Sequence, residues 1–408
     1  MKKRKTLTLF ASVLVAGGIL AGCSSATEEL STDDATKKEE TAPKEDEKTA
    51  DKVEETVAVE DSITGKQIST YKEMMTEVGK AKEGKPVDWE AVAENYETNL
   101  QSAVTEISGE YDQAIQAAIE AGKTGELEPN IARQLVDKTT QSYFYQKQKR
   151  LHKDVVAALE SGDNEGAELA FSEIKYVANE VLIPTAVKRD GYYELEGEAS
   201  IEQNIKAGLS AQEEALKTGN IDDFKVYVQL TDKSVYKSYY LAANSYAKKI
   251  EAAVNEGTED ELELQIQQVE AWGFYQAIKG SLSSGDEEAA QDLDEIFSLS
   301  TTPVAEINAA EVSSLFTKAF VGKIKGYHEK APGALDEGDV TAARVNVLEG
   351  NMFLKAIELE LIDRLGEEKA KEAFTHAQQW YNAIEGNNKE EAATHSEFVV
   401  SALDEITN

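Results

Sequence analysis

The sequence predicts an all-α protein, and three observations lead to that prediction. Beyond Ser62, apolar and aromatic side chains recur every three or four residues, and continuous two-residue alternation is almost absent. The helical stripes are clearest at residues 262–274 and 370–384. Between the apolar positions lie Glu, Lys and Gln, which lose little side-chain freedom in a helix. Only five prolines interrupt this region: Pro86, Pro129, Pro184, Pro303 and Pro332.

The ends of the predicted helices carry a recurring pattern, Ala/Ser-Leu-x-x-Gly-Asp-x-x-x-Ala, at residues 158–167, 281–290 and 334–343. We expect the glycine to take the left-handed conformation that ends one helix, and the aspartate to cap the next. The alanine lets the two helices pack closely. Looser versions occur at residues 215–220, 254–257 and 384–386, so the body is predicted to consist of tandem helical hairpins or bundles.

The N-terminus has the composition of an export signal. Four basic residues at 2–5 precede an apolar run at 7–20, which is too short to span a bilayer as a helix. The run ends in Leu-Ala-Gly-Cys at residues 20–23, and Cys23 is the only cysteine of the 408-residue chain. Disulfides and cysteine-ligated metal sites are therefore not expected.

This segment resembles a bacterial lipoprotein signal with its lipobox. The resemblance implies cleavage before Cys23 and attachment of a diacylglyceryl group, with palmitate-type chains, to its thiol. Two acyl chains give stable membrane attachment where one is marginal. We therefore expect a lipid anchor on the extracytoplasmic face of a bacterial, Gram-positive cell membrane.

Four segments follow from composition. Residues 1–22 are the signal peptide, and residues 23–62 form the lipidated cysteine with an acidic tether. The tether has no aromatic residue and too little apolar surface to offset chain entropy, so we expect it to be disordered. A hinge at residues 190–200 then divides the body into helical domains at 63–196 and 197–408.

The chain is strongly acidic, with a net charge of −35. Removing residues 1–22 takes away four cations and no acids, which leaves −39. Such a surface repels nucleic acid, so we expect no nucleic-acid partner. The acidity is compatible with attraction of cations and equally with adaptation to a salty or alkaline habitat.

No Gly-x-Ser-x-Gly nucleophile elbow, phosphate loop or dinucleotide fingerprint occurs, so we do not expect an enzyme. His328-Glu329 begins like the zinc motif His-Glu-x-x-His, but Pro332 takes the place of the second histidine and is expected to break the helix. The chain has only four histidines.

Metal binding is the most specific site prediction. Glu372 and His376 lie four residues apart on one helix, as do Glu391 and His395 on the next. A turn at residues 386–388 would bring the two histidines to the same height. Two Glu and two His between helices could ligate Fe, Mn or Zn. Solvated carboxylates beside a half-buried histidine explain the pattern equally well.

Two further clusters have alternative interpretations. Four tyrosines on one helix form either a hairpin core or an aromatic cage: Tyr236, Tyr239, Tyr240 and Tyr246. One dense basic run either docks an anionic partner or balances nearby acids: Lys147, Lys149, Arg150, His152 and Lys153.

Residues 338–358, which begin Gly-Asp-Val-Thr-Ala-Ala-Arg and end in Ile-Glu, resemble a segment of imelysin-type iron-uptake lipoproteins. The resemblance implies extracytoplasmic iron handling. It transfers no metal ligand, because no glutamate follows Gly326-Tyr327-His328 at the required spacing. The predicted function is thus a non-enzymatic extracytoplasmic binding lipoprotein linked to metal capture or uptake. The alternative is an envelope structural or adaptor lipoprotein with a protein partner.

Overall fold

The computed structural model describes residues 59–407, and the part of the chain that it describes is helical with no β-strand. The predicted all-α class is therefore confirmed. The signal peptide, Cys23 and the tether up to residue 58 lie outside the described residues. Residues 59–62, placed in the tether from sequence, belong to the folded body, because Val59–Asp61 form a 3₁₀ turn and Ser62 caps the first helix.

The helices of the first half are joined by short turns. Their bounds are α1 Ile63–Val78, α2 Trp89–Asn99, α3 Gln101–Ile107, α4 Gly109–Thr124, α5 Pro129–Ser161, α6 Asn164–Val177, α7 Ile183–Tyr193 and α8 Ile201–Lys217. A π turn at Ala178–Leu182 joins α6 to α7.

The second half continues in the same way. Its helices are α9 Ile221–Asn255, α10 Glu261–Leu282, α11 Glu287–Phe297, α12 Ala309–Asp336, α13 Val340–Ala356, α14 Glu358–Leu365, α15 Glu367–Glu385 and α16 Lys389–Thr407. Within residues 59–407 no helix combines the length and the apolar composition that crossing a bilayer requires.

Two of the three Gly-Asp turns have the predicted geometry. Gly162 and Gly338 adopt φ values of +80° and +81°, which only glycine reaches without strain. The carboxylates of Asp163 and Asp339 then accept hydrogen bonds from backbone N–H groups in the first turns of α6 and α13, at 2.9 and 2.8 Å. These turns reverse the chain and create antiparallel hairpins.

The third Gly-Asp turn differs, since Gly285 is not left-handed. A Cβ atom at Gly285 would lie 2.1 Å from the carbonyl oxygen of Ala319, and one at Gly322 would lie 2.0 Å from the Gly285 oxygen. Gly285 is therefore required for close approach of the α10–α11 turn to α12. At the last turn Asn387, with φ of +53°, takes the left-handed position instead of Gly386.

The prediction that Pro332 breaks its helix is wrong. Helix α12 continues through Pro332 to Asp336. The proline removes one backbone donor, but the side chains around it, Ala331 and Leu335, are buried against Trp380 of α15 in a small apolar cluster. Tertiary packing holds the last turn in place.

Helices α5 and α9 are the longest, with 33 and 35 residues, and each extends about 50 Å at 1.5 Å per residue. Helix α5 packs against α4, α6 and α10, and α9 packs against α8, α10 and α13. Most buried apolar side chains around them form one continuous cluster, from Ile68 to Ile406. The two long helices thus lie at the centre of the fold, and most of the other helices pack against them.

The predicted division at residues 196/197 falls within this packing. Phe144 of α5 and Phe274 of α10 lie on opposite sides of it and belong to the same apolar cluster. At the expected hinge, the carboxylate of Asp190 accepts hydrogen bonds from the Ser200 hydroxyl and the Ile201 N–H, both at 2.7 Å. The two-domain division stays a prediction.

Candidate functional site

The four predicted metal ligands lie on the α15–α16 hairpin. The structure brings the two histidines together, since Nδ1 of His376 lies 2.9 Å from Nδ1 of His395. The Glu391 carboxylate is 3.8 Å from the other ring nitrogen of His395. Both glutamates, Glu372 and Glu391, are exposed. The contact between the two rings confirms the prediction that the histidines lie at the same height on the hairpin.

The two histidines form a pair, without a larger set of metal ligands gathered around them in the part of the chain that the structure describes. Among residues 59–407, no three or more His, Cys, Asp or Glu side chains are grouped so as to hold a metal ion. Burial, together with the neighbouring His395, lowers the pKa of His376, and Glu372 partly opposes that change. One imidazole N–H donating to the other ring accounts for the contact. Metal binding here stays a prediction.

A larger feature lies elsewhere, in a cleft of about 970 Å³ between α5, α9 and the N-terminal half of α13. Its wall includes Val156, Val228 and Val345, one from each helix. Its volume suits a small-molecule ligand. We call it the central cleft. The charged side chains that line it are Lys149, Lys153, Glu160, Asp222, Lys225, Asp232, Lys233, Asp339 and Glu349.

At one end of the central cleft lies a buried ionic network. The ammonium group of Lys233 pairs with the Asp232 carboxylate and, at 2.8 Å, with that of Glu349. The Tyr145 hydroxyl donates to Asp232 at 2.7 Å. Lys233 and Asp232 are 5% and 4% exposed, so each charge depends on its partners instead of on water.

The pKa values of Asp232, Lys233 and the neighbouring His152 lie far from 7. Burial would raise the pKa of Asp232, but Lys233 and Lys149 outweigh it and hold that pKa below its usual value. Burial would lower the pKa of Lys233, yet its two carboxylate partners raise it. Burial also lowers the pKa of His152 to about 4, so this ring is neutral near pH 7 and hydrogen-bonds to Gln212 at 2.9 Å.

The network has a second copy, which sequence reasoning missed. The hexapeptide Gln-Leu-x-Asp-Lys-Thr/Ser occurs at residues 134–139 on α5 and again at 229–234 on α9. The pattern Glu-x-x-x-Phe-x-x-Ala-Ile occurs at 270–278 on α10 and at 349–357 on α13. Helix α5 packs on α10, and α9 packs on α13, so each hexapeptide meets one copy of the second pattern.

The contacts of the two copies correspond. In the first copy, the Tyr71 hydroxyl donates to Asp137 at 2.6 Å, and Lys138 pairs with the same carboxylate at 2.7 Å. Lys138 lies 5.0 Å from the ring centre of Phe274, as Lys233 lies 5.2 Å from that of Phe353. Both networks could have been found in the sequence, because the hexapeptide occurs twice and its two copies begin 95 positions apart.

The copies differ at the glutamate. Glu270 accepts a hydrogen bond from the side-chain amide of Gln134. The equivalent Glu349 pairs directly with Lys233 instead. In both copies the glutamine oxygen, of Gln134 and of Gln229, is buried without a hydrogen-bond partner among the described residues. In the second copy the lysine thus holds two acids, and this is the copy that faces the central cleft.

The other two sequence clusters are now placed. Tyr236, Tyr239 and Tyr240 are at most 1% exposed and pack on phenylalanines of α10, α12 and α13, which confirms the core interpretation for these three. In the basic run, Arg150 pairs with Glu106 at 2.5 Å. Neighbouring residues of a helix point in different directions, so the run does not form one surface. Only Lys149, His152 and Lys153 of the run line the central cleft.

No protein-family model matches the chain, and neither curated proteins nor solved structures show significant similarity to it.

Proposed function

We propose that this protein is a non-enzymatic, extracytoplasmic ligand-binding lipoprotein whose binding site is the central cleft. The observation that carries the proposal is a concave site of about 970 Å³ in which nine charged side chains surround a belt of valines. In small-molecule sites apolar surface supplies affinity and polar groups supply orientation, so a lining this rich in charge favours a charged ligand.

The electrostatics favour binding over catalysis. General acid–base catalysis needs a group whose pKa lies near the working pH. In the central cleft the pKa of Asp232 is lowered, that of Lys233 is raised, and that of His152 is about 4. Near pH 7 Asp232 and Lys233 therefore stay charged, and His152 stays neutral. They are suited to orient a charged ligand and not to exchange protons with it.

Filling the apolar wall tests the site. We expect one class of small polar solute, from a panel of amino acids, short peptides, sugars and carboxylates, to raise the melting temperature of the full-length protein in detergent. Val345→Trp should abolish that shift, since the indole would occupy the cleft. A saturating ligand at 100 times its Kd stabilises by about 2.7 kcal/mol.

The matched control is Val187→Trp, which adds the same volume at a 45% exposed position on α7. The proposal is overturned if no solute in the panel shifts the wild-type melting temperature, or if a shift survives Val345→Trp. A protein partner recovered from membranes by the wild type in that case would favour the adaptor alternative.

We propose in addition that the body is tethered to the outer face of the cell membrane through lipid on Cys23. The proposal is supported by the order of residues 2–23, in which basic residues come first, an apolar run follows, and small residues precede the cysteine. Mass spectrometry of the mature protein should find a diacylglyceryl group on an N-terminal Cys23. A mature chain that begins at Met1 with a free thiol would contradict this.

Metal capture is a second candidate, which the 2.9 Å approach of His376 and His395 favours. The two Nδ1 atoms can bind one ion once the shared proton has moved to Nε2 of the ring that carried it. The Glu391 carboxylate lies on the Nε2 side of His395, where it would orient the ring without itself binding the ion. We expect Zn²⁺, Mn²⁺ or Fe²⁺ to bind the wild type in a titration, and His376→Ala with His395→Ala to lose that binding. Equal binding by the double variant would exclude this site.

A further inference from the structure

The central cleft is long and has two different ends. Helices α5 and α9 run antiparallel along it: Lys225 pairs with Glu160 at 2.8 Å at one end, and Tyr145 reaches Asp232 at the other. Asp222 and Asp232 both line the cleft on α9, and ten residues of helix separate them by about 15 Å. The site is therefore a groove that fits an extended ligand.

One end of the groove is acidic. Glu160, Asp222 and Asp339 lie there, with Lys225 as the cation that pairs with Glu160. The N-termini of α9 and α13 each contribute about +0.5 charge, and the C-terminus of α5 contributes about −0.5. These dipoles offset only part of the carboxylate charge. This end attracts a cationic group.

The opposite end carries available cations. Lys149 and Lys153 lie four residues apart on one face of α5, and both line the cleft. Neither has a carboxylate partner within ion-pair distance in residues 59–407, whereas Lys233 beside them is held by two acids. Lys149 instead lies 5.5 Å from the ring centre of Tyr145. This end attracts an anionic group.

Between the two ends the lining changes character. Val156, Val228 and Val345 form an apolar belt, and the side-chain amides of Gln229 and Asn346 interrupt it. Amide side chains both donate and accept hydrogen bonds, so they match the N–H and C=O groups of a peptide backbone. The valines match small apolar side chains.

We propose that the groove binds a short linear peptide of about four or five residues with free termini and a small apolar centre. This inference rests on the proposed binding function and names its ligand class. The ammonium terminus lies against the acidic end, and the carboxylate terminus lies against Lys149 and Lys153. About 15 Å corresponds to four or five extended residues at about 3.3 Å each.

The test uses the peptide Ala-Val-Ala-Val-Ala and isothermal titration of the full-length protein in detergent. We expect saturable binding by the free peptide. N-acetylation or C-amidation should each weaken binding at least tenfold, and dialanine should bind at least tenfold more weakly. Lys149→Gln with Lys153→Gln should weaken the free peptide and leave the amidated one unchanged, since that peptide has no terminal carboxylate.

Lys147→Gln is the control, because Lys147 belongs to the same basic run but lines a different cavity, with Tyr143 and Glu173. Failure of the peptide to bind, or equal binding of the capped forms, overturns the peptide inference. If another solute binds and Val345→Trp removes it, the proposed binding function stands without a peptide ligand. If nothing binds, both proposals fail.

Discussion

Replacing Lys233 with Met is expected to lower the free energy of unfolding by about 3–5 kcal/mol, because it leaves two carboxylates buried without their shared cation. Asp232 is 4% exposed and Glu349 has a side chain 17% exposed, so water cannot replace the ammonium group fully. Urea denaturation followed by circular dichroism at 222 nm measures the change. A methionine keeps most of the packing against Phe353, so the loss reports charge.

Two comparisons sharpen this result. Lys225→Met breaks the pair with Glu160, whose side chain is 55% exposed, and should cost less than about 1 kcal/mol. Adding Asp232→Asn and Glu349→Gln to Lys233→Met should recover most of the lost stability, because neutral amides need no cation. A cost for Lys233→Met as small as that for Lys225→Met would show that the network is not stabilised by its buried charges.

Lowering the pH from 7 to 5 is expected to destabilise the protein by about 4 kcal/mol through two buried histidines. Burial lowers the pKa of His152 to about 4 and that of His328 to about 3, from 6.5. Below pH 6.5 the unfolded chain therefore binds protons that the folded chain does not. At pH 5 the linkage relation gives about 2 kcal/mol for each ring.

The Asp137 carboxylate does not contribute in this window. The pKa of Asp137 is lowered to about 2, where burial is outweighed by Lys138 and by hydrogen bonds from Tyr71 and Gln141. Stability that depends on its negative charge is lost only below about pH 4. The onset of acid destabilisation near pH 6.5 thus identifies the histidines as its cause.

His328→Phe tests the assignment. The His328 ring stacks on Trp380 with 3.8 Å between ring centres, and phenylalanine preserves that stack while it removes the titrating group. Urea denaturation at pH 7 and at pH 5 measures how much unfolding free energy each protein loses between the two. The loss in the variant should be about 2 kcal/mol smaller than the loss in the wild type. A variant with unchanged pH dependence would contradict the role of His328.

Local patterns determined the parts of the fold that depend on short stretches of chain. Helicity followed from spacing, and the turns at Gly162 and Gly338 followed from the need for positive φ. The meeting of His376 and His395 followed from equal distances to their turn. Each of these needs only one helix or one hairpin, so the sequence near the residue carries the information.

Tertiary packing decided the rest. Gly285 is required by the backbone of α12. The helix turn at Pro332 is held because Ala331 and Leu335 are buried in one cluster with Trp380. The repeated hexapeptide was readable in the sequence, but the glutamates that its copies contact come from other helices: Glu270 accepts from Gln134, and Glu349 pairs with Lys233. The central cleft likewise needs three helices in register. Contacts between distant segments depend on how whole helices dock, and no local spacing encodes that docking.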